Sequence, residues 1–150
     1  MTIQHVLVPV DFSPYAEHAL EYAVALAKTL QARLTLLHVI EPLPLSRDAT
    51  TAFPHAYLQE LESTAQHQLE QVLTRVQETG LHAATAIVHG VPFQGIVDAA
   101  RDQHVDLIVM GTHGRTGLRH VLVGSVAEKV VRLAPCPVLV TRGTTEAPEA

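Results

Sequence analysis

Cysteine and aromatic residues are scarce in this sequence. Its 150 residues include one cysteine, no tryptophan and a 4% share of aromatic side chains. The single cysteine, Cys136, excludes an intrachain disulfide bond and a zinc site made of cysteines, and its place between Pro135 and Pro137 predicts a buried, inert thiol. Because 47% of the residues are apolar but few carry rings, we expect one domain with a core of valine, leucine, isoleucine and alanine.

Long apolar runs are also missing. No run approaches the length of a membrane span, and the N-terminus has no basic stretch before its short apolar run, which stops at Asp11. We therefore expect a cytoplasmic protein without a signal peptide or a membrane partner. The formal net charge of −5 argues against a general nucleic-acid-binding surface, so no nucleic acid is expected as a partner.

Three familiar site motifs are absent as well. The sequence has no Gly-Lys pair, which excludes a Walker A phosphate loop, and it has no Gly-x-Ser-x-Gly segment for a hydrolase nucleophile. The turn after the first apolar run reads Asp11-Phe12-Ser13-Pro14 rather than Gly-x-Gly-x-x-Gly. This difference excludes the dinucleotide-binding fingerprint.

The sequence does contain a regular alternation of strand and helix patterns. Apolar runs predict strands at 3–10, 33–39, 84–88, 105–110 and 137–141. Helical spacing of apolar residues predicts helices at 15–30, 58–76, 92–100 and 126–133. Ser13 and Pro14 suit the N-cap and the first position of the first helix. The pattern predicts an α/β fold with an open, doubly wound, parallel five-stranded sheet that carries helices on both faces.

Two segments lie outside this pattern. The connection from residue 42 to residue 55 is long for a compact domain, and we expect it to form a mobile flap near the site. Residues 143–150 have the composition of a flexible tail. Residues 1–142 are therefore predicted to form a single domain.

The most informative segment connects the fourth strand to the last helix. It reads Met110-Gly111-Thr112-His113-Gly114-Arg115-Thr116-Gly117, and Gly124-Ser125 follows Gly114 after nine residues. Glycines allow close backbone approach and leave amide N–H groups unobstructed, and a helix start adds more N–H groups and a positive dipole end. Ligands of parallel sheets bind beyond the C-terminal strand ends, where this segment and Asp11 are expected to lie. The segment therefore predicts a phosphate cradle.

Four parts of the chain form a wider pattern: Val8-Pro9-Val10-Asp11, Leu37-His38-Val39, the glycine segment 110–115 with Gly124-Ser125, and Cys136-Pro137-Val138-Leu139-Val140. In these parts the chain resembles the universal stress protein family, in its nucleotide-binding branch. Together these parts extend over nearly the whole chain, and the spaced glycines are the most specific of them. The matched positions show no departure from the family's pattern.

The resemblance implies a Rossmann-like sheet of strand order 3-2-1-4-5, with ATP, ADP or AMP lying across the first and fourth strands. The implied contacts are Pro9, Asp11 and Val39 at the adenine and ribose end, Met110, Gly111 and Gly114 at the ribose and first phosphates, and Gly124, Ser125 and Val126 at the remaining phosphates.

Several of these residues have structural alternatives. Asp11 is suited either to cap the entry of the first helix or to bind a ribose hydroxyl. The glycine segment favours the ligand-binding role. Ser125 begins a Ser-x-x-Glu capping box that ends at Glu128, so its hydroxyl suits a helix cap as well as a phosphate. His38 and His89 stand at the ends of predicted strands, where we expect structural histidines.

Arginine and histidine side chains lie near the glycines, where the phosphates are expected to bind. Arg115 is a candidate nucleotide contact, and with Arg119 it makes the segment locally basic, although both arginines suit solvated surface positions equally well. His113 and His120 lack the spacing of metal ligands, so we predict no metal site formed by the protein alone. A Mg²⁺ ion would be carried by the phosphates.

The last strand has no charged residue from Val138 until Arg142. At the edge of a sheet, such an apolar run invites pairing with another chain. We therefore expect a homodimer that forms through residues 137–142, and the resemblance implies the same.

No base for attack on the γ-phosphate stands out, because Asp11 would lie at the wrong end of the ligand. We therefore expect a nucleotide-dependent stress-response regulator with no catalytic residues, at most slow ATP hydrolysis, and an unknown downstream protein as partner. Two alternatives stay open. One is a genuine ATPase whose base comes from the 42–55 connection, and the other is an interaction module whose pocket is filled only incidentally.

Overall fold

The computed structural model describes residues 1–41, 55–113 and 123–143. Its strands are β1 (His5–Pro9), β2 (Arg33–Ile40), β3 (Ala83–His89), β4 (Leu107–Gly111) and β5 (Val138–Thr141). Its helices are α1 (Pro14–Leu30), α2 (His55–Glu78), α3 (Pro92–Asp102) and α4 (Ser125–Leu133). The predicted alternation is confirmed, with element ends that differ from the predicted ones by a few residues.

The strands form one parallel sheet in the order β3-β2-β1-β4-β5. β1 lies at its centre and pairs with β2 along its whole length and with β4 at Val6 and Leu7. Pro9 is the last residue of β1, as expected for a residue with no amide hydrogen to continue the ladder. The predicted strand order and the Rossmann-like architecture are thereby confirmed.

Alternate residues of the central strands enter two separate cores. The core beneath α1 and α2 contains Val6, Val8, Leu34, Leu36 and Val109. The core beneath α3 and α4 contains Leu7, Leu37, Ile108 and Met110. Both cores are aliphatic, in agreement with the scarcity of rings in the sequence.

The N-terminus of α1 follows the sequence prediction. Ser13 is the N-cap, and its hydroxyl accepts a hydrogen bond from the amide of Ala16 at 3.2 Å, with Pro14 in the first turn. Further along α1, Glu17 accepts two hydrogen bonds of 2.6 and 3.1 Å from the guanidinium group of Arg75 in α2. This ion pair joins the two helices on their exposed side.

A buried histidine closes the N-terminal end of the sheet. His5 is 3% exposed, and its Nε2 lies 2.7 Å from Thr35 Oγ1 while its Nδ1 lies 3.3 Å from the carbonyl oxygen of Gln103. The Asp106 carboxylate accepts hydrogen bonds of 2.9 Å from the amides of Gln4 and His5. This network joins β1, β2 and the α3–β4 connection, and the sequence analysis did not single it out.

Other sequence predictions have mixed outcomes. Cys136 is half-buried rather than buried, and desolvation, followed by the charge of Asp106, raises the pKa of its thiol. The predicted flap and tail fall on residues 42–54 and 144–150, outside the described residues, while His55 already belongs to α2. Within the described ranges, no helix is long and apolar enough to cross a membrane.

Candidate functional site

The predicted site residues converge at the C-terminal ends of the three central strands. They are Pro9 at the end of β1, Asp11 just after it, Val39 near the end of β2, Met110 and Gly111 at the end of β4, and Gly124, Ser125 and Val126 at the start of α4. Because α1 packs on one face of the sheet and α4 on the other, the connections after β1 and β4 lead to opposite faces, and a ligand crevice is expected between them. Gly114 and Arg115 lie outside the described residues, so their placement stays a prediction.

Asp11 shapes the turn from β1 into α1. Its Oδ1 accepts a hydrogen bond of 2.9 Å from the amide of Ser13, which in turn caps the helix. Phe12, between them, has a φ of 65°, a left-handed conformation that costs a non-glycine residue on the order of 1 kcal/mol. The Phe12 ring packs on the His38 ring with centroids 4.7 Å apart, and His38 Nδ1 donates to Val10 O at 2.6 Å. The structural role expected for His38 is confirmed, and Asp11 organises the helix entry although Ser13 is the cap.

Two glycines allow separate segments to meet at the end of β4. A Cβ atom at position 111 would lie 2.9 Å from Tyr15 O, and a Cβ atom at position 124 would lie 2.5 Å from Thr112 O. The amide of Gly124 donates a hydrogen bond to Thr112 O, and the amide of Thr112 donates one of 3.0 Å to Thr141 O. The end of β4 is therefore bonded to β5 on one side and to the start of α4 on the other.

Within the part of the chain that the structure describes, α4 begins without a side-chain cap. Gly124 is its N-cap and provides no side-chain acceptor, while Ser125 is the first residue inside the helix. Of the two alternatives for Ser125, the helix cap is therefore wrong. The close contact of Gly124 with Thr112 requires a residue without a side chain, and it places the N-cap one residue before the serine. The first turn of α4 thus presents amide N–H groups and the positive end of the helix dipole.

An apolar rim lies beside these main-chain donors. Val39, Met110 and Val126 belong to the core beneath α3 and α4, and Val39 and Val126 are only partly buried. Gly95 lets α3 pack closely here, since a Cβ atom at that position would lie 3.0 Å from Cγ2 of both Val39 and Val88. The crevice therefore combines an apolar surface with a group of hydrogen-bond donors. The role of Gly95 was not predicted.

Tyr15 and His113 add a ring pair to the site. Their ring centroids are 5.3 Å apart, and His113 Nδ1 lies 2.9 Å from Thr112 Oγ1. Tyr15 was not predicted from the sequence, because its contacts join residues far apart in the chain. His89 lies at the surface with its Nε2 3.5 Å from a Glu62 carboxylate oxygen, which agrees with a structural role.

Comparison with known proteins places this architecture in a family. The sequence profile described as the universal stress protein family matches residues 2–142. Universal stress protein MJ0577 of Methanocaldococcus jannaschii is 34% identical over 152 residues, with 91% of this chain and 93% of that protein aligned. Its solved structure has a TM-score of 0.83 at 33% identity, covering 95% of this chain and 97% of the other.

Two more distant structures share the fold. A universal stress protein in complex with cAMP has a TM-score of 0.68 and covers 96% of this chain and 100% of the other, at 23% identity. The universal stress protein from Archaeoglobus fulgidus in complex with dAMP has a TM-score of 0.67 and covers 93% of this chain and 98% of the other, also at 23% identity. With its sheet order, its glycine-closed strand end and its close relatives, the chain belongs to the universal stress protein family.

Proposed function

We propose that this chain binds an adenine nucleotide, with ATP as the expected form, in the crevice at the ends of β1, β2 and β4. The observation that carries the proposal is the contact between Gly124 and Thr112, which sets the start of α4 beside the end of β4. No side chain of the described residues caps this helix start. Amide N–H groups and a positive dipole end suit phosphates. The partly buried Val39 offers apolar surface of the kind that a base requires.

Each half of the ligand has its own proposed contacts. The base and ribose are assigned to Pro9, Asp11 and Val39, and the ribose and first phosphates to Met110, Gly111 and Gly114. The remaining phosphates are assigned to Gly124, Ser125 and Val126, with Arg115 as a candidate contact. A Mg²⁺ ion, if present, is carried by the phosphates rather than by a protein cage. The cAMP and dAMP complexes support only the statement that this fold accommodates adenine nucleotides.

The site favours holding a nucleotide over consuming it. Among the described residues, the polar groups assigned to the phosphates are main-chain N–H donors and the Ser125 hydroxyl, which stabilise negative charge but are not bases for an attacking water. We therefore propose a cytoplasmic, nucleotide-dependent stress-response regulator with at most slow ATP hydrolysis. Its output passes to a downstream protein that the nucleotide state selects.

The proposal includes a homodimer that forms through β5. This strand lies at the edge of the sheet, and Leu139 on it is 40% exposed. An apolar edge without a charge before Arg142 is suited to pair with the same strand of a second copy. Light scattering at micromolar concentration should give twice the monomer mass, and a monomer would contradict this part of the proposal.

The nucleotide assignment is tested by identifying what the protein carries. The purified protein is denatured, the released small molecules are identified by mass spectrometry, and the stripped protein is titrated calorimetrically with ATP, ADP, AMP and cAMP. We expect an adenine nucleotide in the released fraction and saturable binding of ATP.

Two results would change the assignment. Absence of binding to all four nucleotides would contradict it and leave an interaction module as the better description. Sustained phosphate release with Mg²⁺ that one substitution within residues 42–54 abolishes would instead favour a genuine ATPase.

A further inference from the structure

Tyr15, in the first turn of α1, contacts two segments at the candidate site, one at the end of β4 and one just after β5. Its main chain packs against Gly111, the last residue of β4, where a Cβ atom would lie 2.9 Å from Tyr15 O. Its ring lies 5.3 Å from the ring of His113, centroid to centroid. The same ring covers Gly143, just after β5, where a Cβ atom would lie 2.5 Å from Tyr15 Cδ1 and 2.7 Å from Cε1.

The position of Tyr15 is fixed by the turn that precedes it. Asp11 Oδ1 holds the amide of Ser13 at 2.9 Å, and the Ser13 hydroxyl holds the amide of Ala16 at 3.2 Å. Pro14 adds a restricted φ at the start of the helix. The turn that begins just after β1 therefore holds Tyr15 in a fixed position.

The contact between the Tyr15 and His113 rings is linked to the position of Gly124, the second glycine of the site. The carbonyl group of Thr112 belongs to the peptide bond between Thr112 and His113, and this carbonyl accepts the hydrogen bond from Gly124. Holding the His113 residue against the Tyr15 ring therefore fixes the plane of that peptide. The plane in turn determines where Gly124 and the start of α4 lie.

We propose that Tyr15 is a positioning residue for the phosphate half of the site. Its ring fixes the 112–113 peptide, and the peptide places Gly124 and the first turn of α4 at the outer phosphates of ATP. The inference rests on the proposed nucleotide function, and it assigns a role to a residue that need not touch the nucleotide.

The first test compares Tyr15→Ala with Tyr15→Phe by calorimetric titration with ATP and AMP. Loss of the ring should lower the affinity for ATP about tenfold and that for AMP by less than about twofold, because AMP lacks the outer phosphates. Tyr15→Phe should keep both affinities, since the contacts described are made by the ring and the main chain. A residue that served only folding would not change the ratio of the ATP and AMP affinities.

The second test is a double-mutant cycle with Gly143→Ala. The added methyl would displace the Tyr15 ring, and position 143 does not require a left-handed φ, so the backbone accepts alanine. Gly143→Ala should lower the ATP affinity about fivefold in the wild-type background and have no effect in the Tyr15→Ala background, where there is no ring to displace.

The outcomes separate this inference from the function on which it rests. If the wild type binds ATP and folded Tyr15→Ala binds it equally well, the positioning role is wrong and the nucleotide function stands. If Tyr15→Ala does not fold, unchanged ATP binding by Gly143→Ala overturns the role in the same way. If the wild type binds no adenine nucleotide, both proposals fail.

Discussion

The two ends of the parallel sheet are closed by different kinds of groups. At the N-terminal end, the His5 ring bonds to Thr35, and the Asp106 carboxylate binds two main-chain amides. At the C-terminal end, β4 is joined to β5 and to α4 through successive main-chain hydrogen bonds of Thr112, and glycine makes the second of these bonds possible.

The difference separates stability from binding. Buried side chains whose hydrogen bonds are all made contribute to the stability of the fold. Their donors and acceptors are paired with one another and are not available to a ligand. Glycine-lined main chain packs less apolar surface but presents amide donors to whatever enters the crevice. We therefore expect substitutions at the N-terminal end to change the free energy of unfolding, and substitutions at the C-terminal end to change nucleotide affinity.

The largest effect is expected from Gly124→Val. The backbone of Gly124 (φ −63°, ψ 159°) is allowed for valine, but the Cβ atom would lie 2.5 Å from Thr112 O, so the contact between β4 and α4 must open. ATP affinity should fall by about 100-fold or more in calorimetric titration, equivalent to about 2.7 kcal/mol. Val123→Ala, at the exposed neighbouring position, is the matched control and should bind normally. Normal ATP binding by Gly124→Val would refute the proposed phosphate contact.

His5→Ala probes the opposite end of the sheet. It removes a buried ring and leaves the Thr35 hydroxyl without this partner, so the free energy of unfolding should fall by about 2–3 kcal/mol. Urea denaturation measures this loss, and Gln4→Ala, with an exposed side chain, should cost less than about 0.5 kcal/mol. The ATP affinity of folded His5→Ala should match the wild type, and a clear loss of affinity would show that the two ends are coupled.

The protonation of His5 should make the N-terminal end sensitive to acid. Burial, and then the charge of Arg33, lowers the pKa of His5 in the folded state, whereas the unfolded chain has a histidine pKa of about 6.5. The stability that neutral His5 contributes is complete above about pH 6.5 and is lost as the pH falls through the folded pKa, by at most about 1.4 kcal/mol per pH unit. Urea midpoints between about pH 7.5 and about pH 5 measure the loss.

A pair of histidine variants isolates this contribution. His5→Gln should flatten the pH dependence of the unfolding free energy relative to the wild type, whereas His67→Gln, on the exposed side of α2, should leave it unchanged. An equal slope for His5→Gln and the wild type would show that other groups cause the acid sensitivity.

The smallest effect is expected from Gly95→Ala, which divides the C-terminal end into a base side and a phosphate side. The methyl would press on Val39 and Val88 at 3.0 Å, so we expect ATP and AMP affinities to fall together by about threefold. Alanine favours the helix by about 0.5–1 kcal/mol, which offsets the crowding, so stability should change little. Gln94→Ala is the exposed control. A loss confined to ATP would place Gly95 on the phosphate side instead.

The sequence predicted the features that depend on neighbouring residues. The Ser13-Pro14 pair marked the start of α1, and the apolar runs marked the strands. The spaced glycines marked the end of β4 and the start of α4. The sheet order was implied by the family resemblance rather than by any local pattern. The site residues were predicted to converge, and those within the described ranges do lie at the same end of the sheet.

Features that depend on distant contacts were missed or misjudged. Ser125 fits a capping box in the sequence, but the N-cap of α4 is Gly124, because that glycine meets Thr112 across the fold. The roles of His5 and Tyr15 depend on partners from other elements, which a single chain pattern does not reveal. Tertiary contacts decided each of these positions.

The central place of β1 has a consequence for biosynthesis. This strand is made first, yet one of its two partners, β4, begins only at Leu107. At a synthesis rate of about 5–20 residues per second, on the order of 5–20 s pass before β4 follows it out of the ribosome. During that interval, the edge of β1 that will pair with β4 has no hydrogen-bonding partner from that strand. The nascent chain, rather than the finished protein, is therefore the stage at which this fold is most open to aggregation.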